Sequence, residues 1–363
     1  MGKDSKKTLY FEALRAIAIL FVIFNHTKQY GYVYFTQCSQ GSFEYWFYMF
    51  FSVIAGISVP LFYMISGAVL MGKDETIGYV WKKRILKYLV ILLLFSVILY
   101  VWKDHYSDDF SVMSFLKKTY SESVIVPYWF LYTYIAFLIG LPILRKAVIN
   151  MSDRDFLYML GIWLVFNGLI YIIQYRLSGG TIWMNELLIP AYLTNYLFFY
   201  PALGYYAAIK LNKITDRMCI ISSVLAIISI AVTMFMTDYR ITLTAELNES
   251  SVNFFYETTR PVQVFFIFII IRRLFENRKV PAYIEATLLN LGSCVLGMYL
   301  TEEVFRDILY FIYDTLRINM NSFIAVWIYV LAVYIVCWSC VEAVKYIYGL
   351  LNRYLKMNNA SKA

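Results

Sequence analysis

The stretch from Tyr10 to Tyr30, YFEALRAIAILFVIFNHTKQY, is long and apolar enough to cross a membrane, yet it contains Glu12, Arg15 and His26. A hydrocarbon core about 30 Å thick is crossed by about twenty apolar helical residues. An arginine near the middle of such a helix costs about 2.5–3.5 kcal/mol on insertion scales, so it faces a bundle interior or a water-filled cavity. His26 lies eleven residues after Arg15. At about 100° and 1.5 Å per residue that spacing puts the two side chains on one stripe of the helix, about 16 Å apart. Ile19 and Val22 fall between them on that stripe, and Glu12, three residues before Arg15, can pair with the guanidinium and lower its burial cost. The stripe reads as a passage with a cation at one end and a titratable base at the other. The plainer alternative is that Arg15 and His26 snorkel to opposite headgroup layers and anchor the helix.

The rest of the chain is of the same kind. Its 363 residues are 61% hydrophobic and 15% charged, with a mean hydropathy of +0.62, which excludes an ordinary soluble globular domain. Apolar runs fall near 9–29, 46–71, 85–102, 127–144, 156–175, 187–209, 218–236, 261–275, 287–309 and 323–350. The expected fold is therefore all-α, a polytopic membrane helix bundle of about ten transmembrane helices, forming a single membrane-embedded domain over residues 1–363. The first run lacks a small-residue cleavage site, so it reads as a retained helix and not as a leader. Ten crossings put both termini on one side. Most of the 32 basic residues lie at the N-terminus, in loops such as KDETIGYVWKKRILK and RRLFENRK, and in the tail, which predicts that both termini are cytoplasmic. The net charge of +8 follows from that distribution and implies no nucleic-acid partner.

The five cysteines do not form a disulfide framework. Cys337 and Cys340 make a CxxC on an apolar helix with no second pair, a structural pattern, and no metal site is expected. His105, in the acidic run KDHYSDD, has no partner at ligand spacing and reads as solvated.

The run EALRAIAILFVIFNH closely resembles the first helix of the acyltransferase 3 family, whose hallmark is an arginine, ten intervening residues and a histidine; Arg15 and His26 fit. Similar features follow in order: VPLFYMISGAVL with Ser66-Gly67, the basic loop WKKRILK with Arg84 and Lys87, YWFLYTYIAFLIGLPIL with Trp129 and Pro142, and FFYPALGYYAAI. One departure stands out. In CVLGMYLTEE, Tyr299 and Leu300 fit the pattern, but Glu302 occupies the place of a histidine. The chain resembles stand-alone members that lack a fused hydrolase-like domain.

The resemblance implies a bacterial cytoplasmic-membrane, multi-pass O-acyltransferase. It would move an acyl group, most simply acetyl, from acetyl-CoA to a hydroxyl of a cell-surface polysaccharide or lipid-linked glycan. Acyl-CoA is then a co-substrate, with no permanently bound cofactor. Lys82, Lys83, Arg84 and Lys87, with Ser66 nearby and Arg15 just inside, would receive the donor's phosphates. His26 would be the general base, since an imidazole titrates near neutrality, with a covalent acyl-histidine as a variant. Glu302 would orient the imidazole, or else form an i,i+4 pair with Arg306. Tyr128 and Trp129 would stack on a sugar ring at the outer mouth, with Glu303 alongside. Two other classes stay open: a polytopic transporter, and a non-catalytic subunit of a glycan-export complex.

Overall fold

The computed structural model describes the backbone of residues 3–244, 256–276 and 279–360, and side chains over 9–244, 257–276 and 279–353. Among the described residues the chain is helical, with no strand. The main helices are α1 (Lys3–Asn25), α2 (Phe43–Ala55), α3 (Ser58–Leu70), α4 (Leu86–Asp104), α5 (Val112–Ser121), α6 (Trp129–Asn150), α7 (Asp153–Trp163), α8 (Ile170–Ser178), α9 (Tyr196–Tyr205), α10 (Asp216–Thr244), α11 (Tyr256–Glu276), α12 (Ala282–Leu316) and α13 (Ser322–Ala360).

Seven helical segments are long and apolar enough to cross a membrane: Phe43–Leu70, Ile77–Asp104, Val126–Asn150, Asp153–Ser178, Asp216–Thr244, Ala282–Leu316 and Ser322–Arg353. The protein is a polytopic helical bundle. The other three of the ten expected stretches contain the helices α1, α9 and α11. The helices α1 and α11 carry charges: Glu12 and Arg15 in one, Glu257, Arg260, Arg272, Arg273 and Glu276 in the other. The third, α9, spans 10 residues before the backbone widens into a π-helical turn at Tyr206–Lys210.

The stretch expected as one span over 46–71 is broken between α2 and α3. Pro60 has no N–H to give the carbonyl of Gly56, and its ring crowds that carbonyl. The break leaves the Ala55 carbonyl and Ser58 hydroxyl open to Asn25, whose Nδ2 donates to both at 3.1 Å. Thus a proline on one span fixes the end of α1, where His26 begins the turn.

Helix α1 lies at the centre, packed against α12, α3, α11 and α13. Leu14, Ala18, Ile19 and Ile23 are fully buried on its inner faces. α3 and α9 cross at very close range. A methyl group on Gly67 would collide with the backbone of Pro201, and one on Gly204 with that of Met64. Small residues that let backbones meet are how membrane helices gain packing when lipid supplies no hydrophobic drive. The outer skin is apolar: Val90, Leu93, Leu94, Val97, Ile98 and Val101 of α4, and Ile227 and Ile228 of α10, are exposed. That inversion of the usual burial pattern matches a lipid solvent.

One end of the bundle is tied by Glu75, in the link between α3 and α4. Its carboxylate accepts from Arg84 Nε at 2.8 Å and from Arg145 Nη2 at 3.2 Å, while Arg145 also donates to the carbonyls of Leu70 and Glu75, each at 3.1 Å. The hydrogen bond from Arg84, followed by its charge and by Arg145, holds the Glu75 carboxyl below the usual glutamate range. A carboxyl depressed in the folded state adds stability above its unfolded value, roughly pH 4.3, and that contribution is lost as pH falls through the folded value. In detergent, the wild-type melting temperature is therefore expected to fall more steeply below about pH 4.3 than that of Glu75→Gln, by roughly 2–4 °C. Parallel pH profiles of the two proteins would refute this role.

Candidate active site

One cavity of about 750 Å³ among the described residues is lined by both Arg15 and His26. Its wall comes from the middle and end of α1, the α2–α3 junction, α3, α6, α9, α11 and α12. The stripe on α1 is thus turned to an internal space, and the anchoring alternative does not describe it. Val22 lines the cavity between the two polar groups, whereas Ile19 is fully buried in packing and does not.

At one end, Arg15 pairs with Glu12. Glu12 sits over Gly292, where any Cβ would collide with its carboxylate. Only glycine at 292 leaves room for this pair, so α12 holds the cation's counter-charge in place. Ser66, Tyr88, Tyr134 and Ser293 also line the cavity.

At the other end, His26 Nδ1 lies 2.7 Å from Glu302 Oε1. The Glu302 side chain is fully buried, and its second oxygen accepts from Arg306 Nε at 2.7 Å. Arg306 Nη1 donates to the backbone carbonyl of His26 at 2.6 Å. Arg306 thereby grips both the carboxylate and the backbone of the histidine that the carboxylate faces. The two readings of Glu302, imidazole partner and i,i+4 partner of Arg306, describe one bridged arrangement. An ionised carboxylate accepts only, so the facing Nδ1 carries the ring proton. The His26 side chain is 20% exposed and lines the cavity. The cavity thus carries an oriented imidazole at one end and a guanidinium at the other.

Other expected site residues lie elsewhere. Tyr128 is fully buried and its hydroxyl donates to the Leu300 carbonyl at 2.9 Å, while Tyr299 returns a hydrogen bond to the Pro127 carbonyl. This reciprocal staple joins the start of α6 to α12, so Tyr128 presents no face for stacking. Trp129 lines the cavity and is 44% exposed. Glu303 is taken up by Arg306 and by Lys103 Nζ at 2.9 Å, outside the cavity wall. Arg84 is engaged by Glu75, and Lys82, Lys83 and Lys87 are exposed; none of these four lines the cavity. Lys87 Nζ lies 6.0 Å from the ring centre of its neighbour Tyr88, which lines the cavity. His105 is exposed beside Tyr106. Cys337 and Cys340 are free thiols.

Several cavity residues escaped the sequence reading, among them one charged group. Tyr196, Glu257 and Arg260 form a hydrogen-bonded group on the wall. The signal was present, since charged residues flanking an apolar run are costly in lipid. Starting that span at Pro261 assigned both charges to an outer loop.

The fold and site together define a membrane-embedded helical protein with an internal cavity bearing an oriented histidine. A family model described as an acyltransferase domain, acyltransferase 3, matches residues 8–342. The chain belongs to this family and is a membrane acyltransferase. No curated protein and no solved structure matches it.

Proposed function

We propose that this acyltransferase moves an acyl group, in the simplest case acetyl, from cytoplasmic acyl-CoA to a hydroxyl of a cell-surface polysaccharide or lipid-linked glycan. The supporting observation is the continuity of one cavity from Arg15 to His26. Coenzyme A has a polyanionic head and a long thin arm, and it fits a passage with a cation at one end and a base about 16 Å away. In this reading the N-terminus and basic loops face the cytoplasm of a bacterial cell, Arg15 meets the donor's phosphates, and the thioester comes to rest beside His26.

His26 Nε2 takes the proton of the acceptor hydroxyl as its oxygen bonds to the thioester carbonyl carbon. The carbon–sulfur bond then breaks, the thiolate leaves, and the imidazolium returns the proton to sulfur. Glu302 keeps the proton on Nδ1 and faces the imidazolium charge as it forms. No acyl-enzyme is required.

The test is equilibrium binding of labelled acetyl-CoA to the purified protein, followed by release of coenzyme A. Wild type is expected to bind and slowly turn over the thioester. Arg15→Gln should weaken binding about tenfold or more, the value of a charge-assisted contact. Indifference of the wild-type protein to acetyl-CoA would overturn the donor assignment.

A further inference from the structure

We propose that the cavity wall formed by Tyr196, Glu257 and Arg260 seats the acyl acceptor and takes a neutral, polyhydroxylated ring such as a pyranose. This rests on the reading that the same cavity carries acyl transfer, and it replaces Tyr128 and Glu303 as the acceptor contacts.

The three side chains form one unit. The Tyr196 hydroxyl donates to Glu257 Oε2 at 2.5 Å and accepts from Arg260 Nη1 at 2.7 Å, and Arg260 also pairs with Glu257. All three line the cavity that His26 lines. Arg260 is only 8% exposed. A guanidinium buried in a membrane helix is expensive unless paired, and Glu257 supplies the pairing at no net charge. A hydroxyl group can accept from Arg260 and donate to the carboxylate without adding charge to the pair.

Arg260 and Gly56 both line the cavity, and the arginine keeps donors for a ligand there. Among the described residues, Arg260 makes its hydrogen bonds through Nη1, which leaves Nε and Nη2 as donors. Gly56 lies over these two atoms, and a Cβ built there would stand 3.3 Å from Nη2 and 3.4 Å from Nε. The backbone of Gly56 has an ordinary helical φ of −59°, so its lack of a side chain serves space and not conformation. The same cavity is also lined by the aromatic residues Trp129, Phe62 and Phe130. Planar polar groups and aromatic rings in one cavity suit the hydroxyls and C–H face of a sugar. The pantetheine amides of a donor could meet the same groups, and the experiment separates the two.

Binding of p-nitrophenyl pyranosides to the full-length protein is measured by titration, using the neutral gluco, galacto, manno and N-acetylglucosamine forms and the anionic glucuronide, with acetyl-CoA titrated in parallel. At least one neutral pyranoside is expected to bind wild type more tightly than the glucuronide does. Gly56→Ala, which keeps every charge, and Arg260→Met should each weaken that binding tenfold or more and leave acetyl-CoA affinity in place. The proposal falls if no neutral pyranoside binds, if both variants bind sugar as wild type does, or if acetyl-CoA affinity drops in step, which would assign the wall to the donor. Sugar binding by a protein that ignores acetyl-CoA would support this seat and remove the donor reading alone.

Discussion

His26→Ala is expected to lower acyl transfer by about two to four orders of magnitude, the usual worth of a general base, while the protein still inserts and folds. The second half of this expectation follows from the charges around the site. Removing the imidazole leaves Glu302 bonded to Arg306 at 2.7 Å, so no buried carboxylate is orphaned. The Arg306 bond to residue 26 uses the backbone carbonyl and survives truncation of the side chain. Asn25, which pins the end of α1 to the α2–α3 break, is untouched. Monodisperse elution in detergent and retained acetyl-CoA binding would report the fold, and transfer of label from acetyl-CoA to acceptor would report the chemistry. Transfer within tenfold of wild type would take His26 out of the mechanism.

The part of this site that the sequence makes legible is the part that lipid makes expensive. Arg15 and His26 stand out because the cost of a polar group in hydrocarbon is large compared with anything else in a run such as AIAILFVIF. The helical period then places them on one face. Ile19 shows the limit of that argument, since a shared stripe does not say which of its residues a neighbouring helix covers; Ile19 is fully buried while Val22 lines the cavity. The break at Pro60 was readable in principle, because a proline removes a specific backbone donor, but the continuous apolarity of 46–71 masked it. Tyr128 and Arg84 lie outside the cavity lining for a different reason. Both have partners on other segments, the Leu300 carbonyl and Glu75, and no local pattern announces such contacts. The same holds for Tyr196 with Glu257 and Arg260, which no spacing within one helix connects.

Glu302→Gln is expected to reduce turnover by a comparable factor, about two to four orders of magnitude, with the fold and donor binding retained. The substitution is nearly isosteric, and its effect comes from the direction of one hydrogen bond. Arg306 Nε donates to position 302 and cannot accept. The glutamine must therefore turn its carbonyl oxygen to Arg306, which aims its amide N–H₂ at His26 Nδ1. An amide that donates to Nδ1 requires a lone pair there, and the ring proton moves to Nε2. The base is then capped by its own proton before substrate arrives. Glu302→Asp tests orientation in the opposite sense, because a shorter carboxylate still accepts from Nδ1; it should retain more activity than the glutamine variant despite a larger change in reach. Undiminished turnover in Glu302→Gln would mean that the carboxylate serves only to hold Arg306, and that the tautomer of His26 is set elsewhere.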